Sequence, residues 1–169
     1  MRTVQKKVCL LGEFAVGKTS LVRQFVEGKF DDRYISSIGV KISRKPMLRE
    51  DYALNLILWD LAGGDIKKPN QTHYLRGTAA ALLVCDLTRA DTLEGIQGYV
   101  TLLRDIEPNA IFVLIGNKAD LVDAQTISVQ MLQETAVSIQ APYTFTSAKT
   151  QENVEHAFSL LAEQIEARS

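Results

Sequence analysis

The chain has 169 residues, 46% of them apolar, with 19 basic and 20 acidic side chains and a formal net charge of −1. That length fits one domain with a full core, and the apolar share excludes a disordered chain. The charge balance excludes a nucleic-acid footprint, and two cysteines are too few for a disulfide framework.

Residues Met1 to Lys7 carry no signal pattern and lead straight into the first predicted strand, 5–11. Its apolar run Val8-Cys9-Leu10-Leu11 is followed by Gly12-Glu13-Phe14-Ala15-Val16-Gly17-Lys18-Thr19, which spells G-x-x-x-x-G-K-T ahead of a helix predicted over 18–26. A glycine-bearing turn between strand and helix lets the backbone curl so that the amides from Glu13 to Ser20 face phosphate oxygens, at the positive end of the helix. Lys18 can reach the β- and γ-phosphates, where it is the candidate catalytic cation, and the Thr19 hydroxyl can hold Mg²⁺.

Strands predicted over about 38–47 and over 53–60 are joined by Arg49-Glu50-Asp51, the pattern of a hairpin that adds an antiparallel edge strand. The second ends at Asp60-Leu61-Ala62-Gly63. Asp60 is placed to hold Mg²⁺ through a water, and the Gly63 N–H to meet the γ-phosphate. Pro69 reads as the first residue of a helix over about 70–76, with His73 on its surface. Lys6-Lys7, Lys41 with Arg44-Lys45, and Lys67-Lys68 read as solvated switch or strand-edge charges.

A strand over 79–86 is nearly all apolar, as is one over 111–117, which suits strands covered on both faces. Cys9 and Cys85 fall inside such runs and read as small buried side chains, in keeping with a reducing compartment. A helix over 92–106 separates the two strands, and Asn117-Lys118-Ala119-Asp120, with Leu121 beside it, closes the later one. One carboxylate can accept both N1–H and the N2 amino group of guanine, whereas adenine would leave Asp120 facing a bare acceptor. Asn117 can bond the N7/O6 side and the Lys118 stem can lie on the base. A helix over 128–140 and a strand over 142–146 lead to Thr146-Ser147-Ala148-Lys149, where a backbone N–H would meet guanine O6. The last helix, 151–167, has a core-facing stripe at Val154, Ala157, Phe158, Leu161 and Ile165. The alternation predicts an α/β fold: a doubly wound, mostly parallel six-stranded sheet with one antiparallel edge strand, in a single domain over 1–169. The nucleotide motifs all fall at strand carboxyl ends, where such sheets bind ligands.

With these motifs in this order, the chain resembles the small GTPases of the Ras superfamily, most of all the Rab branch, over nearly its whole length. The resemblance implies the P-loop NTPase (small G-protein) fold, a GTP/GDP switch with Mg²⁺, and switch regions near 30–40 and 63–77. Phe30 matches the aromatic beside guanine, and Tyr34 and Ser37 fall in the first switch, with Ser37 a further Mg²⁺ ligand in place of the family's threonine. It further implies partners at the switches: effectors, an exchange factor and a GTPase-activating protein. Nucleic acid is not among them, and the protein is expected to be a monomer in the cytoplasm.

Two departures concern hydrolysis. Gly64 stands where the family has the glutamine that orients the attacking water, with Asp65 as the neighbour that could replace it. Phe14 stands where the family has a small residue and would project toward the γ-phosphate. Slow hydrolysis is therefore expected; the alternative is a GTP-binding scaffold or the nucleotide domain of a larger protein. The closing residues, Glu163 to Ser169, hold no cysteine for prenylation, which leaves membrane association open.

Overall fold

Branched and aliphatic residues concentrate in short runs separated by polar turns, and those runs become the strands of one sheet. The computed structural model describes residues 1–28 and 40–168. Phe30, Tyr34 and Ser37, and the side chain of Asp65, lie outside the described residues. Strands β1 (Arg2–Leu11), β2 (Val40–Leu48), β3 (Tyr52–Leu61), β4 (Thr78–Asp86), β5 (Ile111–Asn117) and β6 (Tyr143–Phe145) form a six-stranded sheet in the order β2-β3-β1-β4-β5-β6. All neighbours pair in parallel except β2 with β3, the predicted hairpin at the edge.

Helices α1 (Lys18–Glu27) and α5 (Val154–Ala167) cover one face, where Phe25 and Phe158 stack with centroids 3.9 Å apart. On the other face, α2 (Ala90–Glu94), α3 (Ile96–Ile106) and α4 (Val129–Ser138) bury Tyr99, Leu103 and Leu132 against Cys9, Leu83 and Leu114. The predicted stripe Val154, Ala157, Phe158, Leu161 and Ile165 is buried throughout. Cys9 and Cys85 are free, buried thiols, and burial pushes them up to about 11 and about 12. The β2–β3 turn is clasped to the last helix: Arg49 donates to Glu166 through Nε (2.9 Å) and Nη2 (2.7 Å), and the Tyr52 hydroxyl donates to the same carboxylate. No helix among the described residues is long and apolar enough to cross a membrane.

The second switch corrects the sequence reading. In place of a helix over 70–76 there are two 3₁₀ turns, Asp65–Lys67 and Thr72–Leu75, with Pro69 in the turn between them. Lys7 supplies the reason. Its amine reaches over the Trp59 ring, 3.9 Å from the centroid, and donates to the carbonyls of Tyr74 (2.5 Å) and Arg76 (2.8 Å). Those carbonyls are held at β1, Arg76 is extended, and Gly77 at φ 80° turns the chain into β4. Lys7 is thus half-buried and tethering, not a solvated strand-edge charge. The helix expected over 92–106 is two helices that meet at Gly95, and the last begins at Val154, because Gln151 (φ 72°) and Asn153 (φ 57°) are left-handed.

Candidate guanine-nucleotide site

Four strand ends bring the motif residues together. β1 delivers the loop Gly12–Thr19, β3 delivers Asp60 to Gly64, β5 delivers Asn117 to Leu121, and the segment after β6 delivers Ser147 to Lys149. Gly17, at φ 105°, stands at the N-terminus of α1 and has no side chain with which to cap it, so no cap covers the end of the helix that faces the loop. Lys18 is 3% exposed, and its amine donates back to the carbonyls of Gly12 and Glu13, both at 3.1 Å. Burial lowers its pKa to about 8, opposed by the carboxylates of Asp60 and Glu13 and reinforced by the Arg89 guanidinium. An ammonium so desolvated is short of counter-charge, which phosphate would supply.

The Thr19 hydroxyl donates to Asp60 Oδ2 at 2.5 Å, and Asp60 is 1% exposed. A hydroxyl and a carboxylate oxygen converging at the phosphate end of the loop are hard donors suited to Mg²⁺. Among the described residues no three His, Cys, Asp or Glu form a metal cage. Two protein oxygens plus phosphate oxygens and water is how Mg²⁺ is usually held, so the residues fit the ion.

At the base end, Asn117 is fully buried. Its Nδ2 donates to Val16 O (3.0 Å), and its Oδ1 accepts from Thr146 Oγ1 (2.8 Å). Lys118 is left-handed (φ 68°), a strained setting for a side-chain residue, and so is Ala15 (φ 63°). The strain is held by a direct bond: Lys118 Nζ donates to Ala15 O at 2.8 Å and pairs at 2.9 Å with the buried Asp86 Oδ2. Asp120 Oδ1 accepts from the fully buried Ser147 Oγ at 2.8 Å, which fixes the carboxylate. Ala148 is buried, while Leu121 and Lys149 are exposed. The Ser147 N–H is committed to Glu152 O, 3.0 Å away.

Two residues missed by the sequence reading belong to this site. Asp86 ends β4 and accepts from Thr88 N (2.9 Å) and Thr88 Oγ1 (2.7 Å) while facing Lys118, so a strand-end carboxylate positions that lysine. Arg89 donates to Phe14 O at 2.8 Å and pins the outer side of the phosphate loop. Asp86 could have been noticed as the single acid closing an apolar strand; Arg89 carries no sequence signal. The Phe14 side chain is 58% exposed. Gly63 sits on the loop backbone so closely that a β-carbon there would come within 2.4 Å of Phe14 N and Cα.

Comparison with known proteins agrees with this geometry. The Ras family model matches residues 7–167. The chain is 34% identical over 160 residues to the Ras-related protein Rab-22A of Homo sapiens, covering 94% of this chain and 82% of that protein. It is 35% identical, with the same coverage of 94% and 82%, to the Ras-related protein Rab-31 of Rattus norvegicus.

Proposed function

The chain belongs to the Ras family, and from that premise we propose that it is a Rab-like, Mg²⁺-dependent GTP/GDP switch whose own hydrolysis is slow. The observation that carries this is the physical linkage of base end and phosphate end. Asn117 and Lys118 bond the carbonyls of Val16 and Ala15, so the residues that would read guanine also hold the loop that would cradle its phosphates. Asp120, oriented by Ser147, accepts the two guanine donors. With the Ser147 amide already used, the amide of Ala148 or Lys149 meets O6.

In the reaction Lys18 gives up its carbonyl partners for the β- and γ-phosphate oxygens and balances charge as the γ-phosphoryl leaves. Thr19, Asp60 and Ser37 are the residues that would hold Mg²⁺, which when bound neutralises charge on the β- and γ-oxygens. Gly63 N–H faces the γ-phosphate and reports its presence to the second switch. Gly64 offers no side chain to orient water, and Phe14 crowds the approach that an activating protein would use. Effectors, an exchange factor and a GTPase-activating protein bind the switch regions of the monomer. A GTP-bound scaffold without turnover is not favoured for a chain of this family.

The test is binding and single-turnover hydrolysis on the purified chain. We expect GTP and GDP to bind with Mg²⁺ far more tightly than ATP, chelation of Mg²⁺ to weaken binding, and hydrolysis at or below the ~10⁻⁴ s⁻¹ of an unassisted Ras-like protein. Equal affinity for ATP, or a rate near ~1 s⁻¹ without a partner, overturns the proposal.

A further inference from the structure

Glu13, the first variable residue of the phosphate loop, sends its side chain across to the second switch. Its Oε1 lies 3.4 Å from Lys67 Nζ. Lys67 ends the first 3₁₀ turn, and its amine sits 4.2 Å over the Tyr99 ring, whose hydroxyl accepts the Gly64 N–H at 3.1 Å. The start of α3 makes room for the pair. A β-carbon at Gly95 would lie 2.4 Å from Glu13 Oε1, and one at Gly98 would lie 3.3 Å from Lys67 Nζ. The Glu13 carboxylate also bears on the cradle itself, since it is one of the charges that raise the pKa of Lys18.

A carboxylate in that place repels polyphosphate, and repels GTP more than GDP, because the γ-phosphate adds charge at the nearer end. As an ion pair between half-exposed side chains the contact adds little stability. Its effect on a neighbouring multiply charged ligand is larger, because it decides whether that ligand meets a net negative charge. We propose that Lys67 neutralises Glu13 and thereby sets the preference for GTP over GDP, so that the second switch must be seated on the phosphate loop for the γ-phosphate to be held well. A partner that lifts Lys67 off the loop uncovers Glu13 and biases the site against GTP. This inference rests on the guanine-nucleotide reading of the site.

The test measures GTP and GDP affinities, by competition with a fluorescent guanine nucleotide, for the native chain, Lys67→Gln, Glu13→Gln and the double variant. Lys67→Gln should lower the GTP:GDP affinity ratio about three- to tenfold, and Glu13→Gln should raise it by a similar factor. The double variant should return to within about twofold of native, and the shifts should shrink at about 1 M salt. A pair that only packs would alter both affinities alike and leave the ratio flat; a flat ratio, or single variants that move it the same way, overturns the inference. A native chain that binds neither GTP nor GDP removes the guanine-nucleotide reading itself, whereas one that binds both with an unmoved ratio sinks this inference alone.

Discussion

The two ends of the nucleotide site are built from different kinds of contact. At the base end Asn117, Thr146 and Ser147 are fully buried, and their hydrogen bonds lie between 2.8 and 3.0 Å. At the switch end the contacts are a 3.4 Å ion pair between half-exposed side chains, a phenol on a backbone amide, and short 3₁₀ turns. Dry, mutually dependent hydrogen bonds hold one arrangement, because losing one strands its buried partner. A half-exposed ion pair, worth a fraction of a kcal/mol to about 1 kcal/mol, and short 3₁₀ turns can be exchanged at low cost. On the proposed function, recognition of the base falls to a preformed region and response to the γ-phosphate to a soft one.

The sharpest way to break this contrast is at Asp120. Asp120→Asn replaces the proposed acceptor for two guanine donors by an amide and disturbs the bond from Ser147. GTP affinity should fall by ~10²-fold or more, with xanthine nucleotides, whose C2 carbonyl suits an amide donor, gaining relative to guanine. Competition binding with GTP and XTP reads both numbers. A loss under about tenfold would mean that the base end is no more exacting than the switches.

Lys18 tests the phosphate side. Lys18→Ala should weaken GTP and GDP by well over about tenfold. The pH dependence follows from its pKa, lowered by burial to about 8 from 10.5. Between those values the unfolded chain binds the proton and the nucleotide-free native chain does not, so nucleotide-free stability from this group rises with pH across that window. Phosphate restores the ammonium, so binding takes up a proton above about pH 8 and affinity declines from there. Calorimetry at about pH 8.5 in buffers of different ionisation enthalpy should show the uptake, and Lys18→Ala should abolish it. Uptake that persists in Lys18→Ala belongs to another group and would count against the assignment.

How far the sequence disclosed this arrangement depends on the range of the contact. Strands, their order of appearance and the loops at their carboxyl ends were legible, because period, glycine placement and motif spacing are local. The β2–β3 hairpin was legible for the same reason. The second switch was not: Pro69 followed by polar residues reads as a helix start, but Lys7, on a distant strand, takes the Tyr74 and Arg76 carbonyls. The break in the helix over 92–106 was missed likewise, since Gly95 lies against Glu13, a residue far earlier in the chain. Asp86 with Lys118, Arg89 with Phe14 and Arg49 with Glu166 are pairs of this kind: even where one member lies in a motif, nothing local to it names its distant partner.

Gly64→Gln probes the soft end directly. If the missing amide limits hydrolysis, the single-turnover rate should rise several-fold to about tenfold. The left-handed backbone of Gly64 (φ 79°) sets a limit, since glutamine is strained there and the seated conformation must loosen to accept it. An unchanged rate would shift the explanation to Phe14, and Phe14→Gly would be the next variant.

The smallest expected effect lies at Tyr99. Tyr99→Phe keeps the buried ring under Lys67 and removes only the hydroxyl that accepts the Gly64 N–H. The ring packs in the core between α3 and the sheet, so the fold should hold, with a loss of about 0.5–1.5 kcal/mol for one hydrogen bond. What changes is local. The Gly64 amide loses its acceptor, so its hydrogen exchange should speed up while that of β5 amides, such as Ile115 and Gly116, stays as slow as in the native chain. Faster exchange that spread to β5 would show the two ends opening together, and the division into a preformed and a soft region would fail. Confinement to the Gly63–Lys67 stretch would show that the seat of the second switch can be loosened one hydrogen bond at a time without touching the residues that read the base.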